Sequence, residues 1–243
     1  MPERYLAFMG IYLFRKEILS RILENSDDQD LGRDTLPRLV EQYKTYCNVF
    51  HDYWRDIGTI RSYYDASMEL VGEDPPYHFH DPSAQVFTHA RFLQPTRVHK
   101  SLLDSALLSE GASIERSSVA HSIIGVRSQI RAGCQVEGTV IFGADTYEGE
   151  NRRAASFRAT GLPPLGLGLG CVVRGAIIDK NARIGDRCVL SNDAGILHAE
   201  GNDWYIRDGV IIIPKGAVLE PGTVVPGTGY TSDPLTSRLI PQD

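Results

Sequence analysis

The sequence predicts an α/β segment followed by a β-helix of hexapeptide repeats. Three observations predict it. Up to about residue 75, apolar runs alternate with stretches whose apolar residues follow helical spacing. A proline-rich break follows. From about residue 100 the apolar period becomes six, which no α-helix or simple hairpin has and which hexapeptide β-helices do.

Taken in order, "YLAFMGIYLF" is a nearly continuous apolar run rich in Tyr, Ile and Phe, as in a buried strand. "RKEILSRILEN" places Ile18, Leu19, Ile22 and Leu23 on one helical face. "RDTLPRLVEQY" reads as a second helix, provided that Pro37 falls in its first turn. "YCNVFHDYW" returns to strand character, and "TIRSYYDASMEL" reads as a helix with Thr59 as its N-cap. Residues 1–75 therefore form the α/β segment. Residues 76–100 form a linker, marked from just before its start by Pro75, Pro76 and Pro82.

Residues 101–228 form the repeat region. Leu102, Leu108 and Ile114 are spaced by six; so are Ile124, Ile130 and Val136, then Val172, Ile178, Ile184 and Leu190, then Ile212, Val218 and Val224. Each is expected to point into the axis, with Gly and small residues at the corners. One rung cannot cover its own apolar face; stacked rungs can. Two excursions interrupt the period, residues 143–170 and "NDAGILHAEGNDWYIRDG". Residues 229–243 have lost the repeat and read as a flexible tail.

The composition, 42% hydrophobic and 23% charged over 243 residues, is that of a globular protein. A net charge of -6 argues against a general nucleic-acid binder but leaves room for small anions at a local Lys and Arg cluster. No apolar run approaches the roughly 20 residues that span a bilayer, and "MPERYLAFMG" lacks a targeting pattern. The cysteines, Cys47, Cys134, Cys171 and Cys188, form no C-x-x-C pair. Three lie in apolar-periodic stretches, where reduced, buried thiols are expected.

In "YWRDIGTI", Asp56 stands between strand and helix, where an Asp either caps the helix or holds a metal ion. Thr59 is already placed to cap. His121 in "VAHSIIG" invites comparison with the base of hexapeptide acyltransferases, and reads better as a structural residue.

The stretches "YLAFMGIYLF", "YWRDIGTI", "HSIIGVRSQI", "GADTYEGE", "IIDKNARIGD" and "WYIRDGVIII" occur in the order found in the glucose-1-phosphate adenylyltransferase (ADP-glucose pyrophosphorylase) family. The resemblance is nearer its cyanobacterial and plant branch, and runs from residue 4 to about 225. It covers only the C-terminal half of the family's pattern. It implies a remnant of a Rossmann-like nucleotidyltransferase domain followed by a left-handed parallel β-helix. The family's Gly-rich nucleotide loop has no counterpart: "GLPPLGLGLG" lacks the Lys and the Ser or Thr of a phosphate loop and opens no helix. The expectation is a truncated enzyme, a partial gene or a cut-down relative, inactive by itself. The alternative is a non-catalytic regulatory or assembly module of the same family.

The reaction so implied joins ATP and glucose 1-phosphate into ADP-glucose and pyrophosphate, with Mg2+, in starch or glycogen synthesis. Asp56 is implied as a metal ligand, and Met9, Gly10 and Trp54 as substrate-binding. Phe8 stands where the family usually has Ser; losing that buried hydrogen bond costs on the order of 1–3 kcal/mol. Arg91, Asp179, Lys180 and Lys215 are implied to bind phosphate or sugar-phosphate effectors. Stacked coils are expected to bring Lys180 and Lys215 together, with the Arg91 fork adding selectivity. The resemblance further implies a homo- or hetero-tetramer without nucleic-acid or membrane partners, in the bacterial cytoplasm or plastid stroma.

Overall fold

A computed structural model describes residues 7–79, 81–83, 85–148 and 161–227. The expected tail, 229–243, and the middle of the first excursion lie outside the described residues. The chain divides into two compact units, Met1–Asp56 and Ile57–Asp243.

The first unit is helical. α1 (Lys16–Glu24) buries Ile22, and α2 (Leu36–Gln42) buries Leu39 and carries Pro37 in its first turn, where a missing N–H costs nothing. A π-helical turn, Leu31–Thr35, leads into α2; the Asp30 side chain accepts from Arg33 N at its start. Asp28 ties this corner together, accepting from Thr35 Oγ1 at 2.9 Å and Arg38 Nη2 at 2.6 Å. Among the described residues the two expected strands are not seen: residues 7–14 and 46–54 carry no strand of the sheets described, and Phe8, Ile11, Leu13, Tyr46, Val49 and Phe50 are exposed. Strand composition is local, whereas a strand needs a neighbour for its backbone groups, and the described part of this unit supplies none.

The second unit is the β-helix with one helix packed on it. Strands β1 (Arg97–His99), β3 (Ser113–Glu115), β5 (Gln129–Ile130), β8 (Gly166–Leu167), β11 (Arg183–Ile184) and β16 (Val218–Leu219) form one parallel face. The second face holds β6 (Gln135–Glu137), β9 (Val172–Arg174), β12 (Val189–Leu190) and β17 (Val224–Val225). The third holds β7 (Val140–Ile141), β10 (Ala176–Ile178) and β15 (Val210–Ile213). The longer β2 (Leu102–Leu108) and β4 (Ser118–Ile124) bend round the corner between second and third faces and join them. Ser105 and His121 occupy that corner with φ of 50° and 46°. His121 is exposed there, as a structural corner residue would be.

Strand pairing begins at Arg97. Val119 pairs with Val136, seventeen residues later, so three short faces complete a coil. The axis is filled by stacked aliphatics, among them Ile114, Ile124, Ile130, Val136, Ile178, Ile184 and Leu190, all buried. Removing each such side chain from water contributes about 1.5–3 kcal/mol. Cys134, Cys171 and Cys188 are buried as expected, their thiols donating to the carbonyls of Gly168, Gly185 and Glu220.

The inward register differs from the expected one at five positions. Val173, Ile213, Leu219 and Val225 are buried, whereas their neighbours Val172, Ile212, Val218 and Val224 are not, and Leu102 is exposed. Adjacent aliphatic pairs make the two faces alike in hydrophobicity, and a slip of one residue exchanges inside for outside.

The second excursion carries the antiparallel strands β13 (His198–Gly201) and β14 (Trp204–Arg207), which extend the third face beyond β15. Asn192 closes its neck by donating to Ile196 O and Gly209 O, so the coil resumes where it left. Helix α3 (Ile60–Glu69) begins at the expected cap: Thr59 Oγ1 accepts from Ser62 N, and Ser62 Oγ accepts from Thr59 N. It lies on the third face. Tyr63 packs edge-on against Phe142, and Tyr64 donates to Gly138 O at 2.6 Å.

Candidate functional site

The register of the third face fixes one corner of three successive coils. Ile141, Ile178 and Ile213 are paired across β7, β10 and β15. Two residues beyond them stand Gly143, Lys180 and Lys215, one rung apart, about 4.8 Å in such ladders. The corner is tied by Asn181 N to Gly143 O and Gly216 N to Lys180 O, both 2.9 Å. Asn181 has a φ of 64°, which Asn tolerates better than most residues. Gly143 has a φ of 87°, and a Cβ there would collide with Val126 O, so only glycine fits.

The turn at Gly143 throws Asp145 back across this corner. Its carboxylate accepts from Lys180 Nζ at 3.1 Å and Asn181 Nδ2 at 2.8 Å, and lies 3.9 Å from Lys215 Nζ. Asp145 N donates in turn to Asn181 Oδ1 at 2.9 Å. The Asn181 hydrogen bond first, then Lys180, holds the Asp145 carboxyl below its ordinary value. Asp179 serves the backbone instead. Its carboxylate accepts from Lys180 N at 2.6 Å and fixes the turn that presents the lysine.

Beyond Asp145 the first excursion is strapped to the coil. Tyr147 Oη donates to Gly111 O at 2.9 Å, and the Arg127 guanidinium lies over the Tyr147 ring. Glu148, largely buried, pairs with Arg183 Nη2 at 2.5 Å and accepts from Leu165 N at 2.9 Å. Arg183 also donates to Pro163 O, which ties the returning strand to the departing one. Burial acts to raise the Glu148 carboxyl; the Leu165 N–H and Arg183 outweigh it and bring it below its ordinary value.

Of the effector residues expected, the structure brings Lys180 and Lys215 together and places Asp179 beside Lys180. It does not show Arg91 in contact with them: the guanidinium donates to His89 O in its own segment. Asp145 was not anticipated, although "GADTYEGE" is among the stretches that carry the family resemblance. Inside the coil the space lined by Ile130, Ile141, Leu167 and Ile178 amounts to about 20 Å³, enough for one water and no metabolite.

The residues expected at the substrate side, Met9, Gly10, Trp54 and Asp56, belong to the first unit. Gly10 has a φ of 75°, a conformation suited to glycine. Trp54 is half-exposed and Asp56 is exposed. Among the described residues no three His, Cys, Asp or Glu side chains are grouped to hold a metal. Mg2+ is usually held by one or two carboxylates together with phosphate oxygens, so Asp56 would hold it only in their company. No described helix is long and apolar enough to cross a membrane.

Two parts follow one another in the chain: a short helical unit and a parallel β-helix of hexapeptide repeats. The comparisons agree with this on both parts. The nucleotidyl transferase family matches residues 1–73, and the GLGC left-handed parallel β-helix domain matches residues 91–224. The chain is 38% identical over 225 residues to glucose-1-phosphate adenylyltransferase large subunit 1, chloroplastic/amyloplastic, of Zea mays. That alignment covers 91% of this chain and 43% of the maize protein, so the chain spans less than half of that relative's length. The chain belongs to the glucose-1-phosphate adenylyltransferase family, and its β-helix is left-handed.

Proposed function

We propose that the chain provides the effector-binding portion of an enzyme that forms ADP-glucose and pyrophosphate from ATP and glucose 1-phosphate. Family membership supports the reaction class, and the plastid relative suits a role in starch or glycogen synthesis. The observation that carries the regulatory part is the convergence of Lys180 and Lys215 on one corner. Two ammonium groups one rung apart suit a phosphate dianion, each as a hydrated point charge. Phosphate or a phosphorylated metabolite is the expected ligand, and Arg91 would join by movement of its own segment.

In the complete enzyme Asp56 would share Mg2+ with phosphate oxygens, and the metal would neutralise charge on the transferred group. Met9, Gly10 and Trp54 would line the sugar side. Assembly as a homo- or hetero-tetramer, in plastid or bacterial cytoplasm, completes the reading. The exposed Phe8, standing where the family usually has Ser, favours the second reading, a regulatory or assembly module that acts on catalytic partners.

Calorimetric titration of inorganic phosphate and 3-phosphoglycerate into the protein tests the site. Lys180→Ala or Lys215→Ala should weaken binding about tenfold, as loss of a charge-assisted bond of roughly 1.5–3 kcal/mol implies. Equal binding by wild type and the double variant would reduce both lysines to solvated surface.

A further inference from the structure

The two lysines already hold an anion, and it comes from the chain itself. The Asp145 carboxylate sits 3.1 Å from Lys180 Nζ and 3.9 Å from Lys215 Nζ. Asp145 is the carboxylate that faces both ammonium groups. Asp145 stays ionised, since Asn181 and Lys180 stabilise its charged form.

An incoming dianion then has two courses. It can bind beside Asp145 and bear the repulsion, or it can displace the carboxylate and take over its partners. Displacement is the easier course on this geometry. All three side chains are between about a third and two thirds exposed, so a solute reaches them without opening the coil. Among the described residues, the Asp145 side chain is held by Lys180, Lys215 and Asn181, while the strap anchored by Tyr147 and Glu148 begins two residues further on. Rotation of the Asp145 side chain alone leaves in place that strap, the Ala144 N bond to Val126 O and the Asp145 N bond to Asn181 Oδ1. The freed Asn181 Nδ2 becomes a third donor, so a phosphate would exchange one carboxylate for itself and leave no donor unpaired.

We propose that Asp145 is a built-in competitor for the effector: a phosphate-bearing ligand binds at Lys180 and Lys215 by displacing it. The proposal rests on the reading of these lysines as an anion site. It makes Asp145 a determinant of effector affinity, and it ties ligand binding to the point where the first excursion leaves the coil.

The test is a titration of the whole chain with inorganic phosphate, using wild type, Asp145→Asn, Asp145→Ala and the Lys180→Ala, Lys215→Ala double variant. Thermal melts of each variant check that the fold is kept. Removing the competing charge should tighten phosphate binding about five- to tenfold in both Asp145 variants, the order expected for one partly exposed unit charge within 4 Å. It should also steepen the loss of affinity with added salt. If wild type binds and the Asp145 variants bind equally or more weakly, Asp145 positions the lysines and the proposal is wrong, while the anion site stands. If neither wild type nor the Asp145 variants bind phosphate, the anion site itself falls, and the competitor with it.

Discussion

Gly143, Asp145, Asn181, Lys180 and Lys215 make one corner, and each has a distinct physical role. Gly143 turns the chain where a Cβ would strike Val126 O. Gly143→Ala should therefore cost at least about 1–3 kcal/mol for the backbone conformation alone, lowering Tm by several degrees and loosening Asp145. A melting curve unchanged from wild type would show that the corner can relax around the methyl group. Lys180 and Lys215 were singled out only through the family resemblance, since a Lys in an exposed turn is ordinary by itself. Their meeting was legible from the stacking of coils. Asp145 was not, because an excursion of unknown depth separates it from Lys180 and breaks the count of six. The signal was present all the same: an acidic residue just past a β-helix corner Gly, in a stretch already tied to the family.

Elements that rest on local signals were readable, and those that rest on distant partners were not. Helix α3 announced itself through its N-cap Thr59, and the structure adds a capping box with Ser62. The strands expected at 5–14 and 46–54 carried the right residues, and among the described residues no sheet receives them. Within the repeats, Val172–Val173 and Val224–Val225 offered two aliphatics for one inward position, so the register slipped by one. The described ends of the first excursion are fixed through Glu148, Arg183 and Leu165 N. Its pH dependence has a definite sign. The Glu148 carboxyl is lowered on folding from an ordinary value of 4.5, so its contribution to stability is fully present above that value. It is lost as pH falls through the lowered native value. Glu148→Gln should accordingly be less stable than wild type by a constant margin above about pH 5, with the margin closing in more acidic solution. Paired denaturation curves across that range measure it, and a margin independent of pH would assign the contribution to shape instead of charge.

Across the whole second unit, stability is expected to follow the stacking order of the coils. Each rung touches only the rungs before and after it, so the array behaves as a row of neighbours coupled pairwise. Ile184 pairs with Leu167 on one side and Leu219 on the other, and is wholly buried. Val225 pairs with Leu190 alone among the described residues. Native-state hydrogen exchange should therefore be slowest in β6, β8 and β9, near the middle of the stack, and faster towards β1 and β17, where opening needs only one interface to part. Ile184→Ala should cost about 2–5 kcal/mol, because a close-packed axis collapses only partly around the missing atoms. The functional consequence follows from position. Ile184 stands three residues after Asn181, in the coil that presents Lys180. The cavity should raise exchange first in β8, β10 and β16, and weaken phosphate binding at the Lys180–Lys215 corner before β1 and β3 are affected. If exchange instead rises equally from β1 to β17, the coils unfold as a single cooperative block, and the corner has no local stability of its own to lose.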